Sequence, residues 1–361
     1  MQALERFWWR REEPAGTWAW AWPLSLASLA FRAGAAWRAR SIAPVRAKAK
    51  VISVGNIAVG GAGKTPVAMR LCELLRERGH NPALLSRGYG RTSREAVTRV
   101  CEGTGPLVDA SIAGDEPLLI ARRCPWLLVL VGADRVRLAR AAEERGADVL
   151  VLDDGLQHRA LARDLDVIVL DAKNPLGNGQ RLPRGPLREG PEVFARVGSR
   201  GLLWLTNANG EHAPELPALL EMARAAGVRG PIESESVARP VCEMVGVPTF
   251  LLAGIARPQR FEETVRVLGA DVRGRAFFAD HHRFTAAELA GVRASARGAG
   301  ARLIATTEKD AARLPQEALR GEPAIVPLPI DLLISRGQDA LDESLAAALG
   351  AEMRDVRGGA R

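Results

Sequence analysis

The sequence predicts an α/β protein: a doubly wound, mainly parallel sheet, a second, smaller α/β domain and an N-terminal interfacial helix. Three observations carry that expectation. Short apolar runs alternate with helix-like stretches along most of the 361 residues, a Gly-rich turn follows the first of those runs, and tryptophans and basic residues crowd the first fifty positions. A parallel sheet buried on both faces needs unbroken apolar strands separated by amphipathic helices.

The N-terminal segment comes first. Net charge is +8, yet residues 1–50 hold nine Lys/Arg against three acids, so most of the basicity is local. Trp8, Trp9, Trp18, Trp20, Trp22 and Trp37 lie there too, six of the eight tryptophans. Indoles and cationic side chains together suit the headgroup layer of a bilayer. The uncharged run Pro14–Phe31 has 18 residues, the lower limit for a span, but Pro23 interrupts it and Arg32 follows. It has no clear cleavage site for a secretory signal. The expectation is a helix from Leu24 to Arg40 lying in the membrane plane; packing of the same aromatics on the protein's own core is the alternative.

Strands are then expected at Val51–Val54, Pro82–Ser86, Leu127–Val131, Val149–Leu152, Val167–Leu170 and Leu202–Leu205, with helices at Thr65–Arg78 and Arg135–Arg145. Residues 207–245, rich in Pro, Ala and Glu, read as a linker or hinge. A second set follows, with strands at Thr249–Ala253, Arg275–Phe278, Arg302–Thr306 and Ala324–Leu328 and helices at Pro258–Leu268 and Thr285–Arg297. The expected organisation is therefore 1–45 membrane-associated, 46–206 nucleotide-binding, 207–245 linker, 246–345 smaller α/β domain and 346–361 flexible tail. The composition, 47% hydrophobic and 25% charged, fits a globular chain. Cys72, Cys101, Cys124 and Cys242 stand alone, without the paired spacing of a zinc or redox site.

The most informative stretch is Val51–Pro66, an apolar strand running into Ala58-Val59-Gly60-Gly61-Ala62-Gly63-Lys64-Thr65 and then a helix. Small residues let the backbone wrap an anion with its N–H groups, and the helix N-terminus adds partial positive charge. Lys64 would reach the β/γ-phosphates of a nucleoside triphosphate and the Thr65 hydroxyl would ligate Mg²⁺. The fold class is thus P-loop NTPase-type. One departure stands out: the usual glycine five residues before Gly63 is Ala58 here.

Such enzymes place a carboxylate at a neighbouring strand end to hold Mg²⁺. Asp153-Asp154 and Asp171 both end buried-looking strands. The first pair is preferred because Gln157 and His158 share its turn, and the alternative for Asp171 is an acid capping the next turn. Asp115 and Glu116 stand at a helix start, where acids stabilise the helix dipole or, functionally, take a proton from an attacking hydroxyl. His281 and His282 are adjacent, so at most one is expected to face the site.

Taken in order, Ser53–Pro66, Ser86-Arg-Gly-Tyr-Gly90, Gly114-Asp-Glu-Pro117, Asp153-Asp-Gly-Leu-Gln-His158, Gly177-Asn-Gly179, Leu182–Glu189, Asp280-His-His282 and Thr306-Thr-Glu-Lys-Asp310 resemble the tetraacyldisaccharide 4′-kinase family over about residues 20–330. The resemblance implies a peripheral enzyme on the cytoplasmic face of the bacterial inner membrane. It implies transfer of the ATP γ-phosphoryl to the 4′-hydroxyl of a tetraacyldisaccharide 1-phosphate, giving lipid IVA in lipid A synthesis, with ATP and Mg²⁺ required. It also implies Asp115 as base with His281 as orienting partner, though the sequence leaves open which takes the proton. Asp153, Asp154, Glu116, Gln157 and His158 would form the Mg²⁺/phosphate network, and Arg87 and Arg135 would meet substrate or phosphate charge. The alternative enzyme class is a P-loop GTPase or metallochaperone, whose guanine-reading Asn-Lys-x-Asp is matched only in part by Thr307-Glu-Lys-Asp310. Nucleic acid is not an expected partner, because the basic excess is confined to one terminal segment.

Overall fold

The computed structural model describes residues 7–9, 18–255, 258–280 and 282–350; expectations that fall on residues 1–6, 10–17 and 351–361, or on His281, lie outside them. In chain order the strands are β1 (Lys50–Gly55), β2 (Pro82–Ser86), β3 (Thr98–Glu102), β4 (Leu128–Val131), β5 (Val149–Asp153), β6 (Leu165–Asp171) and β7 (Gly201–Thr206). They continue with β8 (Arg229–Ala238), β9 (Pro248–Ala253), β10 (Asp271–Phe277), β11 (Leu303–Thr307), β12 (Ala324–Leu328) and β13 (Ile330–Arg336). The larger sheet runs β13-β8-β7-β6-β1-β5-β2-β4-β3 and the smaller β10-β9-β11-β12. The larger sheet is parallel except at its two edges, where β13 pairs antiparallel to β8 and β3 to β4.

The central strands are apolar throughout because both faces are covered. Along β5, Val149 and Val151 join the core beneath the helix Lys64–Glu77, while Leu150 and Leu152 join the opposite core with Leu138 and Ala142. The two-residue period of a strand sorts the side chains to the two faces. The chain leaves β1 at the centre of this sheet, so the loop after it emerges over the strand ends, where open α/β sheets bind ligands.

Residues 207–245 are not an irregular linker. They contain the helix Leu216–Ala225 and β8, which extends the larger sheet beside β7. Only Ile232 and Ser234 of β8 are buried, and Pro231 with three other polar or small neighbours hides the alternation. Beyond β12 the chain returns: β13 pairs with β8, and the helix Gln338–Leu349 buries Leu341, Leu345 and Ala348 against the larger sheet. Arg78, capping the helix Lys64–Glu77, pairs with Asp342 of that last helix. Residues 330–349 therefore pack with the larger sheet, not within a unit spanning 246–345.

The N-terminal helix spans Trp18–Arg40, longer than expected, since Pro23 removes one amide donor without ending it. The tryptophans divide. Trp22 and Trp37 are 59% and 74% exposed, whereas Trp8 and Trp9 are half-buried on the protein's own loops. Trp8 donates from its indole to the Pro183 carbonyl at 3.0 Å.

Leu345 is fully buried. Leu345→Ala is expected to cost about 2–4 kcal/mol in urea unfolding. A cost below about 0.5 kcal/mol would show that the last helix does not complete this core.

Candidate active site

The turn after β1 owes its shape to two glycines and to a neighbouring loop. Gly63 takes a left-handed conformation (φ +78°) and caps the helix Lys64–Glu77; a Cβ there would lie 3.1 Å from Thr206. Gly60, at φ +111°, passes under the Trp9 ring. The first half of the turn is pinned: Val59 N–H donates to the Pro186 carbonyl at 2.8 Å, and Ala58 N–H to Asn56 Oδ1 at 3.1 Å. Ala58 is buried and not at positive φ, so this position has no need of the missing glycine. Thr206 Oγ1 donates to the Ala62 carbonyl at 2.9 Å and fixes the second half. Gly61 faces open space. The first-turn amides of the 14-residue helix, from Lys64 and Thr65 on, lack intrahelical acceptors.

Lys64 Nζ donates to the Gly60 carbonyl at 3.2 Å and stands 3.6 Å from Asp154 Oδ1. Asp153 and Asp154 end β5, adjacent to β1. Asp154 sits at φ +51° and its Oδ2 accepts from Arg188 Nη1 at 2.7 Å. Burial raises its pKa, but Lys64 and Arg188 outweigh that and hold the carboxyl below its usual range. Asp153 differs. Burial, then the charges of Glu116 and Asp154, push its pKa up to about 7. Ser86 Oγ donates to its Oδ2 at 3.3 Å, while Oδ1 is buried with no partner; Asp154 Oδ1 likewise accepts no hydrogen bond. An Asp153 oxygen buried without a partner, next to an Asp154 oxygen met only by Lys64 at 3.6 Å, fits a hard cation. Among the described residues no three acids, histidines or cysteines form a ready cage. Mg²⁺ does not require one, since it takes one or two carboxylates and completes its shell with phosphate and water oxygens.

The turn beyond is tied inward. Gln157 Nε2 donates to the Asn56 carbonyl at 3.0 Å and its Oε1 accepts from Arg188 at 3.3 Å. Arg163 donates to the Gly155 carbonyl at 2.8 Å and to that of His158. Burial, then Arg135 and Arg163, push the His158 pKa down to about 4, which leaves the imidazole neutral near pH 7. Burial also lowers Arg135, to about 10; its Nη1 donates to the Gly132 carbonyl at 2.6 Å. Arg87 is exposed after β2, and its charge disfavours protonation of both Arg135 and His158. Asp171 Oδ1 accepts from Lys173 N–H at 3.1 Å, the loop-entry cap weighed as its alternative role.

Asp115 and Glu116 open the helix Asp115–Arg123, after Gly114. Glu116 lies 3.5 Å from Lys309 Nζ, and Asp115 Oδ2 accepts from Arg313 Nε at 2.7 Å. Both partners belong to the helix Glu308–Arg313 that follows β11. The helix that opens with Asp115 and Glu116 thus meets the helix that follows β11 through two ion pairs. The structure thus gathers Lys64, Asp153, Asp154, Gln157 and Glu116 around one strand end, while His281 lies outside the described residues.

Sequence reasoning missed Asn56, Ser86, Arg188, Thr206 and Arg313. Arg188 lay within a motif already noted, Leu182–Glu189, but spacing alone does not return it to Asp154. Arg313 stands three residues beyond Thr306–Asp310 with no signal of its own.

A phosphate-wrapping loop between a central parallel strand and a helix, with acids at the adjoining strand end, defines a P-loop nucleotide-binding protein. The family model described as tetraacyldisaccharide-1-P 4′-kinase matches residues 20–350. A tetraacyldisaccharide 4′-kinase of Anaeromyxobacter dehalogenans is 47% identical over 97% of this chain and 96% of its own. One from a Methylobacterium species is 40% identical over 95% and 96%. The LpxK of Aquifex aeolicus, solved in complex with ATP, superposes with a TM-score of 0.65 at 24% identity, covering 92% of this chain and 97% of that one. The chain belongs to the tetraacyldisaccharide 4′-kinase family. The GTPase alternative is not favoured, and Asp310 shows why in physical terms: it is fully buried and bound to Gly254, Thr307 and Arg313, with no edge to offer a guanine.

A raised carboxyl pKa means the folded protein holds a proton that the unfolded chain releases. Stability from this group is full below about pH 4 and is lost as pH rises through about 7. In the metal-free protein, Asp153→Asn, which mimics the protonated acid, is expected to be more stable than wild type by about 1–3 kcal/mol at pH 8. That gain should vanish below about pH 4. Equal stability of the two proteins at both pH values would refute the buried-charge account.

Proposed function

We propose that the protein binds ATP in the Gly60–Thr65 loop and transfers its γ-phosphoryl to the 4′-hydroxyl of a tetraacyldisaccharide 1-phosphate lying in a membrane surface, giving lipid IVA. The observation that carries this is the meeting of Lys64 with Asp154 at the end of β5, beside Asp153, whose Oδ1 is buried without a partner and which feels the charge of Glu116, the neighbour of Asp115 at the helix start.

Lys64 would exchange its Gly60 carbonyl and Asp154 for phosphate oxygens, and the first-turn amides would donate to the same anion. Thr65, Asp153, Asp154 and Glu116 would hold Mg²⁺, which offsets charge on the transferring phosphoryl. Arg188 keeps Asp154 ionised and oriented. Asp115 would accept the proton of the acceptor hydroxyl as oxygen attacks phosphorus. Neutral His158 and cationic Arg135 and Arg87, which feel one another's charge, would serve as polar contacts for substrate or phosphate.

The N-terminal helix supports the lipid surface. Its serine face is anchored to the protein: Arg184 Nη1 donates to Ser25 Oγ at 2.8 Å, and Ser28 Oγ to the Arg181 carbonyl at 3.0 Å. Trp22, Leu26, Leu29 and Trp37, at helical spacing, form an exposed apolar stripe bordering those contacts. No described helix is long and apolar enough to cross a membrane. A helix anchored to the protein by its serines while presenting an exposed apolar stripe fits the interface plane, where the acceptor's acyl chains would stay in the bilayer and its sugars project.

With ATP, Mg²⁺ and a disaccharide 1-phosphate lipid in mixed micelles, Asp115→Asn is expected to lower kcat about 10²–10⁴-fold. Wild-type kcat in that variant would remove Asp115 from the base role. Replacing Trp22, Leu26, Leu29 and Trp37 together by Ser should abolish flotation with anionic liposomes while leaving circular dichroism unchanged. Undiminished flotation would assign the membrane contact elsewhere.

A further inference from the structure

The Thr306–Asp310 motif has no part in the chemistry above, yet it builds the most buried ion pair at the site. Thr307 caps the helix Glu308–Arg313 through its hydroxyl. Asp310, fully buried, accepts from Thr307 Oγ1 at 2.7 Å and from Gly254 N–H at 3.1 Å through Oδ2, and from Arg313 Nη1 at 3.0 Å through Oδ1. Arg313 Nη1 also donates to the Gly254 carbonyl at 3.0 Å, and its side chain is 3% exposed. The Nε of the same guanidinium donates to Asp115 Oδ2 at 2.7 Å.

Gly254 directly follows β9, and a Cβ placed on it would lie 3.3 Å from both the Ala279 carbonyl and His282. The anchor of Arg313 therefore borders Ala279 and His282. A planar fork fixed by two acceptors on one unit transmits that unit's orientation to a carboxylate on the other, which a flexible lysine ammonium would not.

We propose that Arg313 is a positioning residue: reaching from the smaller sheet, it sets the orientation of the Asp115 carboxylate toward the acceptor hydroxyl, so the base is correctly aimed only while the two units are docked. This rests on the reading of Asp115 as the base. Other contacts hold the same helices together. Arg123 pairs with Glu308 at 3.1 Å, donates to the Ile330 carbonyl at 2.7 Å and pairs with Asp331, and Arg122 donates to the Ala311 carbonyl at 3.2 Å. Loss of docking and loss of aim can therefore be separated.

The test compares Arg313→Ala, Arg313→Lys, Arg123→Ala and Asp115→Asn in the mixed-micelle assay, with added guanidinium at non-denaturing concentration. The expected result is a kcat about 10–10²-fold below wild type in both Arg313 variants, with KM for ATP changed less than about threefold. Guanidinium should restore part of the rate of Arg313→Ala alone, and Arg123→Ala should lower the unfolding midpoint while keeping kcat. If Arg313→Ala does not fold, Arg313→Lys decides by the same criterion. A kcat within about twofold of wild type in the Arg313 variants, or an equal loss in Arg123→Ala with no rescue by guanidinium, would overturn the positioning role. Wild-type kcat in Asp115→Asn would instead defeat the base reading on which it rests.

Discussion

The carboxylates brought together at the end of β5, one of them buried without a full set of partners, are the constraint around which the site is arranged. Asp153 is enclosed with a single weak donor, Ser86, and stands within reach of the fields of Glu116 and Asp154. Leaving such a group ionised without a counter-charge is costly. Lys64 and Arg188 contact Asp154, and Arg135, whose charge is also felt by Asp153, donates to the Gly132 carbonyl, so none of the three hydrogen-bonds Asp153. A bound cation would offset the Asp153 charge, and a triphosphate would bring one while drawing Lys64 away. Nucleotide binding would then exchange these internal pairs for ligand contacts.

Rigidity at the loop comes from its neighbours. Pro186, Asn56 and Thr206 take up the hydrogen-bonding groups of Ala58, Val59 and Ala62, and leave the helix N-terminus and Gly61 open. The segment that pins Val59 also carries Arg188 to Asp154 and Arg184 to Ser25 of the N-terminal helix. One loop, residues 176–189, therefore touches the phosphate turn, the acidic pair and the helix with the apolar stripe. This continuity links the N-terminal helix, with its exposed apolar stripe, to the glycine-rich turn.

Much of this was legible in the sequence because the central strands are buried on both sides and so are apolar without interruption, as in Val149–Leu152 and Val167–Leu170. The glycine turn and the acids at strand ends were legible for the same local reason. The peripheral strands were not. Thr98–Glu102, Arg229–Ala238 and Ile330–Arg336 lie at or near a sheet edge, where Arg99, Glu233 and Arg336 interrupt any apolar run, and β13 pairs with a strand about a hundred residues earlier. Trp8 and Trp9 carried the same composition as Trp22 and Trp37 but pack inward, because composition does not encode facing. The partners of Asp115 and Asp154, namely Arg313 and Arg188, are set by tertiary docking over long separations, which no local pattern reports.

The most direct test of the central claim is a crystal structure with Mg²⁺ and a non-hydrolysable ATP analogue. The account predicts the triphosphate along Gly60–Thr65, Lys64 released from Asp154, the metal at the open oxygens of Asp153 and Asp154, and the terminal phosphoryl facing Asp115. A nucleotide bound elsewhere with that turn empty, or a terminal phosphoryl directed away from Asp115 with Lys64 still paired to Asp154, would contradict it.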